Sequence, residues 1–307
     1  SRTRRQPQKA SRNMIFIPGD APILVFGGPY SNVRALAALH ARAAALGVSA
    51  SRVICTGDVV AYCSEPEETV AAIRQWGCHI IAGNCEQQLA LGAHDCGCGF
   101  AQDSTCDALS KGWYGFASQR VSTATRSWMT RLPTTLCMSY RGFSLRVVHG
   151  GVEEINRFVF ASQERLISSE LSRTRADIVV AGHAGLPFIK QCGHQVWFNP
   201  GVIGMPANDG TRGVWYGTIR NTGDGLRLQT HRLAYDHEGA ASALRREGYA
   251  DAYADALTNG RWPSVDVLPA EERAATGRKT SEHVLHLSKP RLVDTAVVRR
   301  EAAASQS

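Results

Sequence analysis

No apolar run in the 307-residue sequence approaches the ~20 residues that a membrane-spanning helix requires. The apolar stretch near the N-terminus, Met14–Ile17, stops at Pro18-Gly19-Asp20 and is too short for the core of a signal peptide. The nine cysteines are an odd number, and a chain of this length does not need disulfides for its stability. We therefore expect a soluble cytoplasmic protein, in a reducing compartment, with no membrane partner.

Lysine is scarce as well, because five of the 34 basic residues are lysines and the others are arginines. Arginine holds phosphate through a planar, bidentate fork, so the formal net charge of +7 is compatible with an anionic substrate or with nucleic acid. A GC-rich genome explains the same bias. Outside the N-terminus no arginine-rich run is interleaved with aromatic residues, the pattern typical of nucleic-acid-binding segments. The charge therefore does not predict a nucleic-acid partner.

The apolar and charged fractions, 44% and 20%, are those of an ordinary globular protein. The length predicts one domain with extensions. Both ends are polar, and the patterns of helices and strands lie between them. We divide the chain into a flexible basic leader (1–20), a main domain (21–235), a helical tail (236–264) and a polar C-terminal segment (265–307) with a composition compatible with disorder.

Short apolar runs alternate with helical patterns in the first half of the main domain, which is typical of βαβ units. The predicted order is a strand at 23–26, a helix at 33–46, a strand at 53–55, a helix at 66–75 and a strand at 79–82. After two helices at 105–118 and 123–131, strand-like runs follow at 144–148, 178–181, 196–198, 213–219 and 226–230, the later ones joined by glycine turns. The pattern predicts an α/β fold in which two mixed β-sheets pack face to face with helices outside.

Four short polar motifs each follow a predicted strand. They are Gly57-Asp58, Gly83-Asn84-Cys85-Glu86, His149-Gly150-Gly151 and Gly182-His183. Strand ends are where α/β sheets place ligands, and glycine permits the tight turn that directs the next side chain out of the sheet. One such motif alone is more often a turn with a solvated side chain. The four in this order are specific, and they predict a metal site.

In their order the motifs resemble those of the calcineurin-like metallophosphoesterases, and the likeness runs from about Pro22 to Leu233. That family has the motifs Asp-x-His, Gly-Asp, Gly-Asn-His followed by a carboxylate, a His before glycine, and Gly-His-x-His. The segments 59–62 and 198–202 resemble family sequence too. The resemblance implies a four-layer αββα sandwich, with two metal ions between the sheets.

Several positions depart from the family pattern. Gly28 and Tyr30 stand where the resemblance places the Asp and His of the first motif, and Gly185 replaces the second His of the last motif. Glycine offers no side chain, and neutral tyrosine is a poor ligand. Cys85 replaces the His of the Gly-Asn-His motif, which in the family meets substrate or leaving group. The ligands of the family's first metal are therefore lost, except Asp58.

The ligand set that the resemblance implies for the second metal is complete. It consists of Asp58, Asn84, His149 and His183, called the four-residue site below. Two imidazoles with oxygen ligands suit Zn, Mn or Fe, and they disfavour Ca or Mg. We predict a metal-dependent phosphoesterase that hydrolyses a small phosphomonoester, phosphodiester or nucleotide with a metal-bound water. The predicted catalytic residues are Asp58, Asn84, which positions the phosphate, and Cys85, which lies near the leaving group.

The cysteines in and after the motif loops leave an alternative open. Cys63, Cys85, Cys96 and Cys98 are predicted additional ligands or redox groups, which would hold a second metal or an iron–sulfur centre. Their spacing matches no known ribbon or ferredoxin pattern. The alternative function is a non-catalytic or redox-sensing binding protein on the same scaffold. The substrate, the metal and the oligomeric state are not predicted by the sequence.

Overall fold

A computed structural model of the chain describes residues 14–289. Most of the predicted leader (1–13) and the end of the C-terminal segment (290–307) lie outside the described residues. Within the described part, the search for helices long and apolar enough to cross a membrane found none.

The first sheet has six strands in the order β1-β5-β6-β7-β9-β8. They are β1 (Met14–Ile17), β5 (Thr135–Tyr140), β6 (Phe143–Val148), β7 (Ile178–Ala181), β8 (Phe188–Cys192) and β9 (Gln195–Asn199). At its centre β6, β7 and β9 are parallel, with Val148 opposite Ala181. The hairpins β5–β6 and β8–β9 add the antiparallel pairs, so the sheet is mixed.

The second sheet also has six strands, in the order β12-β11-β10-β2-β3-β4. They are β2 (Ile23–Phe26), β3 (Val53–Cys55), β4 (His79–Ile80), β10 (Val214–Asn221), β11 (Gly225–Leu233) and β12 (Val284–Ser288). The strands β2, β3 and β4 are parallel, as βαβ units require. The other pairs are antiparallel. The predicted change from parallel to antiparallel pairing along the chain is confirmed in this sheet.

Helices cover the outer faces of the two sheets. They are α1 (Val33–Ala45), α2 (Pro66–Trp76), α3 (Asn84–Leu91), α4 (Thr105–Arg120), α5 (Thr123–Met129), α6 (Glu164–Ser172), α7 (His237–Glu247), α8 (Asp251–Asn259) and α9 (Ala270–Ala274). Helix α1 starts at Asn32, whose side-chain oxygen accepts a hydrogen bond from the Ala35 N–H at 3.1 Å. It buries Leu36 and Leu39 on one face, against the second sheet.

Alternation along the strands divides the apolar side chains between the layers. In β2, Val25 packs between the two sheets, whereas its neighbours Leu24 and Phe26 pack under the helices. Phe198 of the first sheet lies in the same inter-sheet core as Val25. Helix α6 packs on the other face of the first sheet, where Ile167 joins the outer cluster. The predicted α/β fold of two face-to-face mixed sheets with helices outside is therefore confirmed.

Outside the main domain, three segments differ from the sequence-based prediction. The strand β1 lies at the end of the predicted leader, and α9 and β12 lie in the segment that was compatible with disorder. Strand β12 pairs with β11 from Gly225 to Gln229. The predicted single helical tail is two helices, because Gly248 adopts a left-handed conformation (φ 72°) and ends α7.

Candidate metal centre

The four-residue site lies where the carboxyl ends of parallel strands from both sheets meet. Asp58 follows β3 and Asn84 opens α3 just after β4, so both come from the second sheet. His149 directly follows β6 and His183 follows β7, so both come from the first sheet. All four side chains are at least nine-tenths buried. The structure thus brings together the four side chains that the sequence motifs singled out.

The Nε2 atom of His149 lies at the centre of the group. It is 3.1 Å from an Asp58 carboxylate oxygen and 3.0 Å from the Asn84 side-chain oxygen. Its other ring nitrogen, Nδ1, lies 2.6 Å from the Thr56 carbonyl oxygen and donates to it. A histidine whose Nδ1–H is bound in this way presents the lone pair of Nε2 to a metal ion.

His183 completes the group from the neighbouring strand. Its Nδ1 lies 3.2 Å from His149 Nε2, while its own Nε2 is buried with no hydrogen-bond partner among the described residues. Asp58 and His183 both have positive φ angles, 55° and 62°. Such conformations are uncommon outside glycine, and they cluster at functional sites because the surrounding structure must hold them.

The ionisation of the group follows from burial and mutual contact. Burial acts to raise the pKa of the Asp58 carboxyl, but the charge and hydrogen bond of His149 outweigh it, and the pKa is lowered. For His149, burial acts to lower the pKa, and the charge and hydrogen bond of Asp58 reverse the direction, so the pKa is raised. Burial and the charge of His149 lower the pKa of His183 to about 3. His183 is therefore neutral, as a metal ligand must be.

The four-residue site fits a transition-metal ion. Within residues 14–289, ligand atoms of Asp58, His149 and His183 all lie within 4.8 Å of one another, which a single ion can span. The oxygens of Asp58 and Asn84 and the Nδ1 of His183 lie 3.0 to 3.2 Å from His149 Nε2, where a cation can replace the proton of that nitrogen. A cation satisfies such a set, and imidazole with oxygen ligands suits Zn, Mn or Fe. Which of these metals binds stays a prediction.

Glu86 holds the loops that carry Asp58 and Asn84. Its carboxylate accepts hydrogen bonds from the backbone N–H groups of Asp58 and Gly83, each at 2.8 Å, and of Val60 at 3.1 Å. Burial and the charge of Asp58 raise the pKa of Glu86 to about 7. No role for Glu86 was predicted from the sequence. Its three backbone contacts could not be read from the motif.

Close packing of the loops that carry Asp58 and Asn84 also explains why residue 83 is a glycine. A Cβ atom at Gly83 would lie 2.1 Å from an Asp58 carboxylate oxygen and 2.6 Å from the Asp58 backbone nitrogen. Any larger residue at position 83 would therefore displace the carboxylate from the site.

The structure separates the four candidate cysteines. Cys85 lies beside the four-residue site, with its backbone N–H 3.4 Å from an Asp58 carboxylate oxygen. Burial and the charges of Asp58 and Glu86 raise the pKa of its thiol, so it stays protonated. Cys63 is buried with its sulfur 3.8 Å from the Gly204 carbonyl oxygen, and burial raises its pKa as well.

Cys96 and Cys98 are joined to each other by a disulfide. In this state their sulfurs are not thiolate ligands, and a metal or iron–sulfur centre held by cysteines stays a prediction for the reduced chain. The loop has another contact with the site, because the Cys96 carbonyl oxygen accepts a hydrogen bond from the Asn84 amide at 2.9 Å. This bond directs the amide nitrogen of Asn84 away from His149 and leaves its oxygen facing the site.

Aromatic rings occupy the space beside the positions that depart from the family pattern. A Cβ atom at Gly28, where φ is 27°, would lie 2.5 Å from the ring of Tyr30. Tyr30 itself has a positive φ of 53°, and its backbone N–H donates to the Asp58 carbonyl oxygen at 3.1 Å. A Cβ at Gly185 would meet the Trp262 ring at 3.2 Å. A side chain at position 28 would thus clash with the Tyr30 ring, and one at position 185 would adopt a strained φ of 77° and require the Trp262 ring to shift.

This packing predicts the outcome of restoring the first family motif. Gly28→Asp alone is expected to destabilise the fold by more than about 1 kcal/mol, because its side chain meets the Tyr30 ring at an unfavourable φ. The double change Gly28→Asp with Tyr30→His replaces the Tyr30 phenol ring with a shorter imidazole. It is expected to recover most of the lost free energy of unfolding. Denaturant unfolding of both variants measures the change in the free energy of unfolding. Gly47→Asp, at a positive φ with open space around it, separates the backbone cost from the clash. Equal losses in all three variants would contradict the steric explanation.

A family model described as the calcineurin-like phosphoesterase superfamily domain matches residues 32–222. The match contains the whole four-residue site and begins after Gly28 and Tyr30. The search of curated proteins gave no match.

Solved structures resemble the chain in fold. A metallophosphoesterase from Sphaerobacter thermophilus is 17% identical, with a TM-score of 0.62 over 79% of this chain and 100% of that one. A hypothetical protein from Pyrococcus horikoshii is 14% identical, with a TM-score of 0.67 over 78% of this chain and 99% of that one. At these identities the similarity shows the fold alone.

Proposed function

Because the chain belongs to the calcineurin-like phosphoesterase superfamily, we propose that it hydrolyses a small phosphate ester at a centre that holds one metal ion. The proposed substrate is a phosphomonoester, a phosphodiester or a nucleotide. The observation that carries the proposal is the convergence of oxygen and nitrogen lone pairs on His149 Nε2, at 3.0 to 3.2 Å. The proposed ion is Zn, Mn or Fe.

Each residue has a defined task in this proposal. A divalent ion bound at the site would polarise the phosphoryl group and lower the pKa of a coordinated water. Asp58 supplies the negative charge that holds the ion, and the hydrogen bond from His149 to Thr56 fixes the ring that binds it. Asn84 is held by the Cys96 carbonyl group, so its side-chain oxygen keeps one orientation. Cys85, a neutral thiol, is proposed to face the leaving group.

The rings beside Gly28 and Gly185 support one ion rather than two. An arrangement with a single ion lacks the symmetric clamp on the attacking and leaving oxygens that two metals supply. We therefore expect slower turnover than a two-metal site of the same fold would give.

The experiment combines elemental analysis with turnover. Metal-free protein is loaded separately with Zn, Mn and Fe, and tested on phosphomonoesters, phosphodiesters and nucleotides. We expect about one ion per chain, and turnover that a chelator removes and added metal restores. Cys85→Ser tests the thiol, and Cys192→Ser, at a half-buried cysteine in β8, is the matched control. Absence of turnover by the metal-replete protein across the whole panel would overturn the proposal.

A further inference from the structure

A cavity of about 70 Å³ lies beside the four-residue site, and His183 lines both. This volume is several times the ~10–15 Å³ that one water molecule needs. The residues that follow His183, Ala184 and Gly185, continue along the cavity wall. The cavity therefore adjoins the four-residue site through His183.

Six aromatic side chains line the cavity. They are Tyr30, Tyr62, Phe100, Phe158, Tyr253 and Trp262. Their rings pack against one another and against the site. Tyr30 and Tyr62 are 4.7 Å apart between ring centroids and lie edge to face, and Phe158 lies 4.2 Å from the His183 ring.

The inner part of the wall is buried and the rim is half-buried. Tyr30 and Tyr253 are 4% and 6% exposed, whereas Phe100 and Trp262 are partly accessible to solvent. The Trp262 indole is fixed at the rim, because its Nε1–H donates to the Pro206 carbonyl oxygen at 2.7 Å. The cavity thus has a rigid apolar interior and an opening towards solvent.

Charge is absent from the wall. Within the described residues, no Asp, Glu, Lys or Arg side chain lines this cavity. A phosphate group gains nothing there, so it belongs on the metal centre. Tyrosine hydroxyls and Ser264 add some polar surface, but apolar surface predominates, so an aromatic group suits this wall better than a sugar or glycerol group.

We propose that this cavity is the subsite for the organic group of the ester, and that the group is an aromatic ring. The inference rests on the proposed function and names its substrate class, an aryl phosphate with the ring among the six aromatic side chains. Rings prefer edge-to-face and offset contacts with centroids 4.5–7 Å apart, the arrangement that this wall already shows. The cavity is smaller than the ~150 Å³ closed cavity that binds benzene, so the ring is enclosed only in part and extends towards the rim.

The first test is calorimetric titration of Mn²⁺-loaded protein with phenylphosphonate and methylphosphonate, which have no ester bond to hydrolyse. We expect phenylphosphonate to bind at least about tenfold more tightly. In Trp262→Ala and in Phe100→Ala the preference should fall to within about threefold, with the affinity for methylphosphonate unchanged. Trp128→Ala is the matched control, because it removes a half-buried indole that lines a different cavity. It should keep the preference.

The outcomes separate this inference from the proposed function. Equal affinity of the parent for the two phosphonates would overturn the aromatic subsite, and would leave the phosphate site intact. If neither phosphonate binds, the proposed function fails. Fluorine NMR with para-fluorophenol, a ring without phosphate, then tests whether the cavity binds an aromatic group. Line broadening that Trp262→Ala and Phe100→Ala remove supports the subsite, and no broadening with the parent refutes it.

Discussion

Asp58→Asn is expected to lower the affinity for the metal ion by at least about 100-fold and to remove turnover. Asp58 is the only carboxylate in the four-residue site, so the substitution removes the one negative charge that offsets the ion. Asparagine has nearly the same shape, and its side-chain oxygen can still face the Cys85 N–H. The fold should therefore persist. Competition with a chelating dye measures the affinity, and circular dichroism checks the fold.

The matched control is Asp251→Asn, an exposed aspartate in the first turn of α8. It changes the net charge of the chain by the same amount, far along the sequence from the motifs. We expect its ion affinity to equal that of the parent. An Asp58→Asn variant that still binds the ion as tightly as Asp251→Asn would show that the ion is held elsewhere.

Glu86→Ala is expected to lower the free energy of unfolding by at least about 3 kcal/mol. The substitution leaves three backbone N–H groups without their acceptor, and each buried, unpaired group costs about 1–3 kcal/mol. The expected loss is a large part of the ~5–15 kcal/mol that stabilises a typical domain. Urea unfolding measures it. Glu86→Gln keeps one acceptor oxygen, so its loss should be smaller.

Glu68→Ala is the control for this prediction. Glu68 is exposed on α2, so its removal should change the stability by less than about 0.5 kcal/mol. A Glu86→Ala variant that unfolds at the same urea concentration as Glu68→Ala would contradict the assigned contacts.

The central strands and the site motifs could be predicted because their signals are local. Ile23–Phe26 and Ile178–Ala181 are short, wholly buried apolar runs, and the structure has strands at these residues. Each ligand of the four-residue site stands within a few residues of such a strand. Because parallel strands end at one edge of a sheet, the motif positions group Asp58 with Asn84 and His149 with His183, and the resemblance to the family implied that the two pairs meet.

The edge strands β1 and β12 could not be predicted in this way. In β1, Met14 and Phe16 are 61% and 70% exposed, and β12 follows a polar segment and buries few of its side chains. Their strand conformation depends on pairing with β5 and β11, which are distant in sequence. Such pairings leave no periodic signal in the segment itself.

The aromatic wall was missed for a related reason. Tyr30 was interpreted only as a lost ligand, and Trp262 lies 77 positions beyond Gly185, in a segment assigned to the helical tail. The contact between Trp262 and Gly185 depends on how the tail packs back over the main domain. The only local indication of the aromatic wall was the glycine at two expected ligand positions, 28 and 185. Glycine there indicates that no ligand side chain is present, but it does not indicate which rings pack nearby.

The division of the four ligands between the two sheets has a thermodynamic consequence. Asp58 and Asn84 belong to one sheet and His149 and His183 to the other, so the complete set exists only after the two sheets have packed. An ion that binds it binds the native state and not the separate halves. Ion binding then raises the free energy of unfolding, by about 2.7 kcal/mol at an ion concentration 100 times the dissociation constant. Metal supply would set the resistance of the whole sandwich to unfolding, as well as the fraction of chains that can act.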